Sequence, residues 1–252
     1  MVLMVPAAIG LAFLALPLAG LLARAPWGTL GARLGDPHVL EALRLSLVTS
    51  TAATVACLLA GVPLAWMLAR VAFRGRRLVR ALVTVPLLLP PVAGGVALLL
   101  ALGRGGLVGA WLGSGAVLPF TTAAVVLAEA FVAMPFLVLS VEGALRATDA
   151  RFEEAAAILG ASRWTVFRRV TLPLVAPGVA AGAVLCWARA LGEFGATVTF
   201  AGSIPGRTRT MPLAVYHALE SDPEAAIALS LLMLLVCVAV LACLRGRWVN
   251  VA

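Results

Sequence analysis

The sequence predicts an all-α membrane protein with six transmembrane helices, and three observations carry the prediction. Of its 252 residues, 63% are hydrophobic and 12% are charged, where a soluble domain carries roughly 25% charged residues. The apolar residues gather into six blocks, 5–22, 44–68, 81–102, 119–140, 174–197 and 225–244. A hydrocarbon layer about 30 Å thick takes about 20 residues of helix to cross, which the blocks match. With no water to satisfy its amides, a crossing segment is a helix or a strand of a closed barrel. The roughly ten-residue alternating segments of a barrel are absent from the sequence.

The first block, short and interrupted by proline, lacks the basic n-region and the cleavage site of a signal peptide, so it is expected to be a true span. The connections between blocks then set the orientation. Arg24 and Arg33 lie in the first (23–43), Arg104 in the third (103–118), and Arg207 and Arg209 in the fifth (198–224). The second connection (69–80) has Arg70, Arg74, Arg76, Arg77 and Arg80, and the fourth (141–173) has Arg146, Arg151, Arg163, Arg168 and Arg169. With Arg245 and Arg247 in the tail, twelve arginines stand on one side against five on the other. Arginine accumulates on the cytoplasmic face, so both termini are expected in the cytoplasm of a multi-pass inner-membrane protein.

Composition also excludes functions. All 19 basic residues are arginine, so the Gly-Lys-Ser/Thr of a Walker A loop cannot be built, and any ATPase driving this chain is another subunit. Cys57, Cys186, Cys237 and Cys243 fall inside apolar blocks and read as small packing residues. His38 and His217 have no partners at metal-ligand spacing. A membrane enzyme would need clustered His, Asp or Cys, which the sequence does not offer. No metal, bound cofactor or nucleic-acid partner is expected.

The fourth connection stands out because residues 152–174, FEEAAAILGASRWTVFRRVTLPL, could not lie inside a bilayer. Asp149 can satisfy the first free amides of a helix, and Glu153 and Glu154 fall in its early turns, where the helix dipole favours them. Ala155 to Leu159 propagate the helix and Gly160 can end it. Ser162 is a second cap, followed by a basic helix with Trp164, Phe167 and Val170 on one side. Aromatics in the headgroup layer and arginines on anionic lipid would explain this second helix. They explain the first less well, since adjacent glutamates gain nothing at a lipid surface. A small-faced cytoplasmic helix suits docking into a groove on a partner.

These residues carry a family pattern. Glu154-Ala155-Ala156, then Gly160, then Val170-Thr171-Leu172-Pro173 resembles the EAA loop of bacterial ABC importer permeases. That loop usually reads Glu-Ala-Ala, three residues, Gly, nine residues, Ile, any residue, Leu-Pro; Val170 for Ile is the one departure. ARALGEFGATVTFAGSIPGRTRTMPLAVY (188–216) is similar to the fifth span and following loop of molybdate permeases, and VPLLLPPVAGGVALLLALGRGG (85–106) to their third span. Sulfate permeases share much of the Leu-Gly-Glu-Phe-Gly region, and tungstate is a chemical neighbour of molybdate, so both remain alternatives. The resemblance covers residues 40–245. It implies one transmembrane permease domain over 1–252, forming the pathway as a homodimer, with a cytoplasmic coupling loop at 148–173. It further implies two ATP-binding cassette subunits, which bind the ATP and Mg2+, and an extracytoplasmic oxyanion-binding protein. Glu153, Glu154, Ala155, Ala156 and Gly160 would then belong to a coupling helix seated in the ATPase.

Other residues keep two readings each. Arg189 and Glu193 lie four apart and can meet on one face of the fifth span, as a pathway or gate pair or as a local salt bridge permitting burial. A free carboxylate would repel an oxyanion, so the pair is not a substrate site. Pro90, Pro91, Gly94 and Gly95 in the third span, and Pro177, Gly178, Gly182, Gly192 and Gly195 in the fifth, line a pathway or reflect membrane-helix composition. Glu129 either faces the cavity of a dimer or lies nearer a membrane face than the block suggests. Arg207 and Arg209 either steer an anion or dock an acidic binding protein, or are solvated loop residues. A channel or ion-coupled transporter acting alone is the competing class; it would show paired inverted repeats, and none is evident.

Overall fold

The computed structural model describes residues 3–108 and 118–248, and every regular element among them is helical. Residues 109–117 of the third connection and the side chains of Cys243, Arg245 and Arg247 lie outside the described residues. Twelve α-helices follow in chain order among the described residues: α1 Met4–Ala23, α2 Leu30–Leu34, α3 Pro37–Arg70, α4 Arg76–Leu88, α5 Pro91–Leu102, α6 Thr122–Ala147, α7 Arg151–Ile158, α8 Arg163–Val166, α9 Leu172–Leu191, α10 Gly195–Phe200, α11 Met211–Ser221 and α12 Pro223–Trp248. A π-helical turn, Phe167–Thr171, joins α8 to α9.

Five segments are long and apolar enough to cross a membrane: α1, α3, α6, Arg163–Leu191 and Pro223–Val240. The third apolar block corrects the expectation of one continuous helix. Proline disfavours helical backbone in the residue before it, and Leu89 and Pro90 are both extended (ψ 130° and 133°), so α4 stops and α5 restarts with Pro91 in its first turn. The fifth block departs too, since its helix closes at Leu191 and a short second helix follows.

The chain divides into two units, Ser46–Thr208 and Met1–Leu45 with Arg209–Ala252. The larger is built on α6, whose Ala133, Leu137, Val138, Val141 and Leu145 bury against Ala53, Cys57, Ala65 and Leu68 of α3 and Val175, Cys186 and Ala190 of α9. Gly178, Gly182, Cys186 and Ala190 recur every four residues of α9, one stripe of small side chains. A Cβ at Gly182 would stand 2.9 Å from that of Ser140, and Ser140 Oγ donates to Gly178 O at 3.2 Å. In lipid, where apolar surface alone draws no helices together, such close backbone approach is what holds them. A second cluster joins Val125, Ala128 and Val132 of α6 to Ala196 and Phe200 of α10.

In the smaller unit, Ala42, Met211 and Leu229 make a core for α3, α11 and α12. Arg33 of α2 bonds Asp222 at 2.6 Å and Glu224 at 2.9 Å. Asp222 Oδ1 also accepts from the Ala225 amide at 3.1 Å, capping α12. No residue of α1 is buried.

Candidate coupling helix and pathway residues

The segment after α6 folds as its residues direct. Asp149 Oδ1 accepts from the Arg151 amide at 3.0 Å, and Glu153 and Glu154 occupy the first turn of α7. Gly160 takes the left-handed φ of +84° that glycine tolerates. The helix closes with Gly160 N–H on Ala157 O at 3.0 Å and Ala161 N–H on Ala156 O at 3.1 Å, the paired bonds of a Schellman cap. Ser162 Oγ accepts from the Thr165 amide at 3.2 Å and starts α8. The basic helix then departs from expectation: it stays α-helical for four residues and widens to the π turn. Pro173, at the head of α9, brings no amide and a ring that crowds the preceding turn, which opens the ladder there. Trp164 stacks on Phe167 with centroids 5.7 Å apart, and Phe167 meets Trp66 of α3 edge-on at 6.4 Å.

No residue of α7 is buried. Ile158 and Leu159 are 85% and 88% exposed, and Phe152 is exposed beside them. Glu154 and Ala155 are also open, whereas Ala156 is half-covered. Glu153 turns back to its own chain: its Oε1 accepts from Arg70 Nε at 3.2 Å, while Arg70 Nη2 donates to Thr148 O at 3.1 Å. The exposed Phe152, Ile158 and Leu159 were not singled out from sequence; apolar side chains on a charged helix were the available signal.

The membrane-depth residues separate into buried and open sets. Arg189 Nη2 pairs with Glu193 Oε2 at 2.7 Å, with side chains 27% and 1% exposed. The two do not share a helix face, since α9 has closed before Glu193. Glu193 is held there by a second task, its Oε1 accepting from the Ala196 amide at 2.7 Å and capping α10. Gly195 is buried against Pro91, whose Cβ would lie 2.8 Å from a Cβ at that position, while Gly192, Pro90 and Pro91 are exposed. Glu129 is 1% exposed in mid-α6; its Oε1 accepts from Thr49 Oγ1 at 2.9 Å and its Oε2 is buried without a hydrogen-bond partner among the described residues.

One ion cluster was not legible as such. Glu142 of α6 is buried and its Oε1 takes Arg80 of α4 at 2.7 Å and Arg146 at 2.6 Å. The four-residue spacing of Glu142 and Arg146 was a usable signal, but the partner on α4 was not. Arg207 is exposed, and its carbonyl accepts from Thr122 Oγ1 at 2.9 Å; Arg209 is half-buried in the other unit. No group of three or more His, Cys, Asp or Glu among the described residues could hold a metal ion.

The family model described as binding-protein-dependent transport system inner membrane component matches residues 61–248. The molybdenum transport system permease protein ModB of Mycobacterium tuberculosis is 52% identical over 232 residues, 92% of this chain and 88% of its own length. The protein of the same name from Escherichia coli K12 is 40% identical over 217 residues, 85% of this chain and 94% of its own. A solved bacterial ABC transporter involved in the import of the acidic polysaccharide alginate matches 100% of this chain and 95% of its own, with TM-score 0.78 and 17% identity, a likeness of fold. This chain belongs to the family of binding-protein-dependent transport system inner membrane components, as the permease subunit of an ABC-type importer whose ATP hydrolysis resides in a separate subunit.

Proposed function

We propose that the chain is the transmembrane subunit of an ATP-driven molybdate importer, working as a homodimer of six-span protomers with both termini in the cytoplasm. The names of the relatives support the substrate. The observation that carries the mechanism is α7, a capped helix presenting Ile158 and Leu159 almost fully to solvent. Burying the two side chains against a partner supplies about 3–6 kcal/mol, at about 1.5–3 for each. In this reading α7, with Glu154, Ala155 and Ala156 and its stop at Gly160, seats in the groove of one of two ATP-binding cassette subunits, where ATP and Mg2+ bind. An extracytoplasmic protein delivers the oxyanion from the other side.

The sixth crossing is made by α4 and α5 together, which supply about 1.5 Å of rise per residue on either side of the break at Pro90. The pathway is lined by residues open in the single protomer, Pro90, Pro91, Gly192 and the outer part of Arg189. Glu129, Glu193 and Gly195 are buried within the protomer and set the positions of α3, α6 and α10 behind it. Arg207, exposed in the turn over residues 205–208, belongs to the external loop that meets the anion or its carrier, and Arg209, half-buried, is the less accessible of the two.

The test is co-reconstitution in vesicles with the cognate ATPase and binding protein. Molybdate uptake is expected to require ATP and both partners, and to be competed by tungstate more strongly than by sulfate. Uptake needing neither partner would refute the importer reading, and preference for sulfate would reassign the substrate. The double change Ile158→Asp and Leu159→Asp is expected to weaken ATPase binding at least about tenfold at unchanged folded yield. Normal binding would remove α7 as the docking helix.

A further inference from the structure

The last turn of α3 holds the 148–173 segment on both sides of α7. At the head of α7, the Arg70 guanidinium joins the Thr148 carbonyl, ahead of the helix at 3.1 Å, to the Glu153 carboxylate, in its first turn at 3.2 Å. Beyond it, Trp66 packs edge-on against Phe167, with the ring planes at 83°. Trp66 and Arg70 are four residues apart and so share a face of α3. Between the two contacts lies a cavity of about 360 Å³, bordered also by Ala157 and Ala161. Leu68, between Trp66 and Arg70 in sequence, is wholly buried in the core that α3 forms with α6 and α9.

A helix moved by a partner displaces its own protein only through contacts that stay made. Because α7 buries none of its residues, it has no apolar core contact among the described residues to push with. The Arg70 fork is its most direct polar link to a spanning helix, and with 16% and 18% side-chain exposure the pair is largely shielded from water. Glu154, next to Glu153, is open and makes no such link among the described residues.

We propose that Arg70 is a positioning residue for coupling: with Trp66 it makes the end of α3 the arm through which displacement of α7 reaches the α3–α6–α9 core. The inference rests on α7 being the ATPase-docking helix. The Arg70–Glu153 ion pair is the link that carries the displacement, since Glu153 lies within α7 and Thr148 ahead of it.

The experiment uses the full transporter in vesicles, with Arg151→Cys, exposed at the head of α7, as a cross-linking point to the ATPase subunit. Uptake per ATP hydrolysed is measured for the parent, Arg70→Ala, and the charge swap Arg70→Glu/Glu153→Arg. Arg70→Ala is expected to cross-link and hydrolyse ATP as the parent does while uptake per ATP falls about fivefold or more, within the range of directly coupled residues. The swap is expected to restore most of that ratio, which a general loss of stability would not do. A parental ratio in Arg70→Ala, or no recovery in the swap, overturns the role of Arg70 and leaves the docking helix standing. Loss of the cross-link in Arg70→Ala overturns it too, since Arg70 would then serve docking itself. Absence of the cross-link in the parent defeats the docking reading and this inference with it.

Discussion

Gly195→Ala adds one methyl group where α10 meets α5. Its Cβ would stand 2.8 Å from Pro91 Cβ and 3.1 Å from Val92 N. Carbon atoms rest at about 3.5–4.0 Å, so the overlap with Pro91 is roughly 0.7–1.2 Å. A proline ring and a backbone nitrogen have no rotamer to escape into, so the helices themselves must part. The contact is reciprocal: a Cβ at Gly95 of α5 would meet Thr199 Cβ at 2.7 Å and Ala196 O at 2.8 Å. Overpacking of this kind costs about 1–3 kcal/mol. At about 2–4 °C per kcal/mol for a chain of this size, the melting temperature falls by roughly 2–12 °C. Gly192→Ala, three residues earlier, is the control. Among the described residues its Cβ meets only Ala188 O, at 3.6 Å, and its φ is −88°, so the change is neutral or stabilising by up to about 1 kcal/mol. Thermal unfolding of the purified permease in detergent, followed by fluorescence of its six tryptophans, reads both. A parental melting temperature for Gly195→Ala, or an equal loss in Gly192→Ala, would refute the packing argument.

Two further outcomes follow from the ion pairs. Arg189→Ala strands the Glu193 carboxylate, 1% exposed, with the Ala196 amide as its remaining bond among those described. Breaking a buried pair this way costs about 3–5 kcal/mol, nearer the lower end because the Arg189 side chain is 27% exposed. Arg189→Ala/Glu193→Gln removes the stranded charge, keeps an oxygen for the cap and melts higher than the single change; equal melting temperatures would contradict this. At the head of α12, the hydrogen bond from Arg33, followed by that from the Ala225 amide, holds the Asp222 carboxyl below the ordinary carboxylate range. A carboxyl depressed in the folded state contributes stability above its unfolded value of about 3.9 and loses it as pH falls through the lower folded value. Acidification below about pH 4 is therefore expected to lower the protection of α2 amides, once exchange is corrected for its intrinsic slowing in acid, and Asp222→Asn to flatten that protection profile. Protection of α2 amides that is flat with pH in the parent protein would refute the pairing.

The helices and their ends were legible because the forces that set them are local. Block length and apolarity located α1, α3, α6, α9 and α12, since a chain in hydrocarbon must satisfy its amides within the segment. Asp149, Gly160 and Ser162 marked the limits of α7 and α8 because caps act within a few residues. The break at Leu89–Pro90 was equally local, but apolarity alone joined its two sides into one block. Pairing across the fold was a different matter. Thr49 and Glu129 are 80 residues apart, Arg80 and Glu142 62, and Arg70 and Glu153 83, and nothing in a charge's spacing along the chain names a partner at that distance. By itself the sequence determined a helical membrane permease with a capped, charged helix between its fourth and fifth apolar blocks. Only the tertiary structure decided which charges are buried, which glycines cannot take a methyl group and which helix holds α7. Those depend on close packing and desolvation, which exist only once distant segments have been brought together.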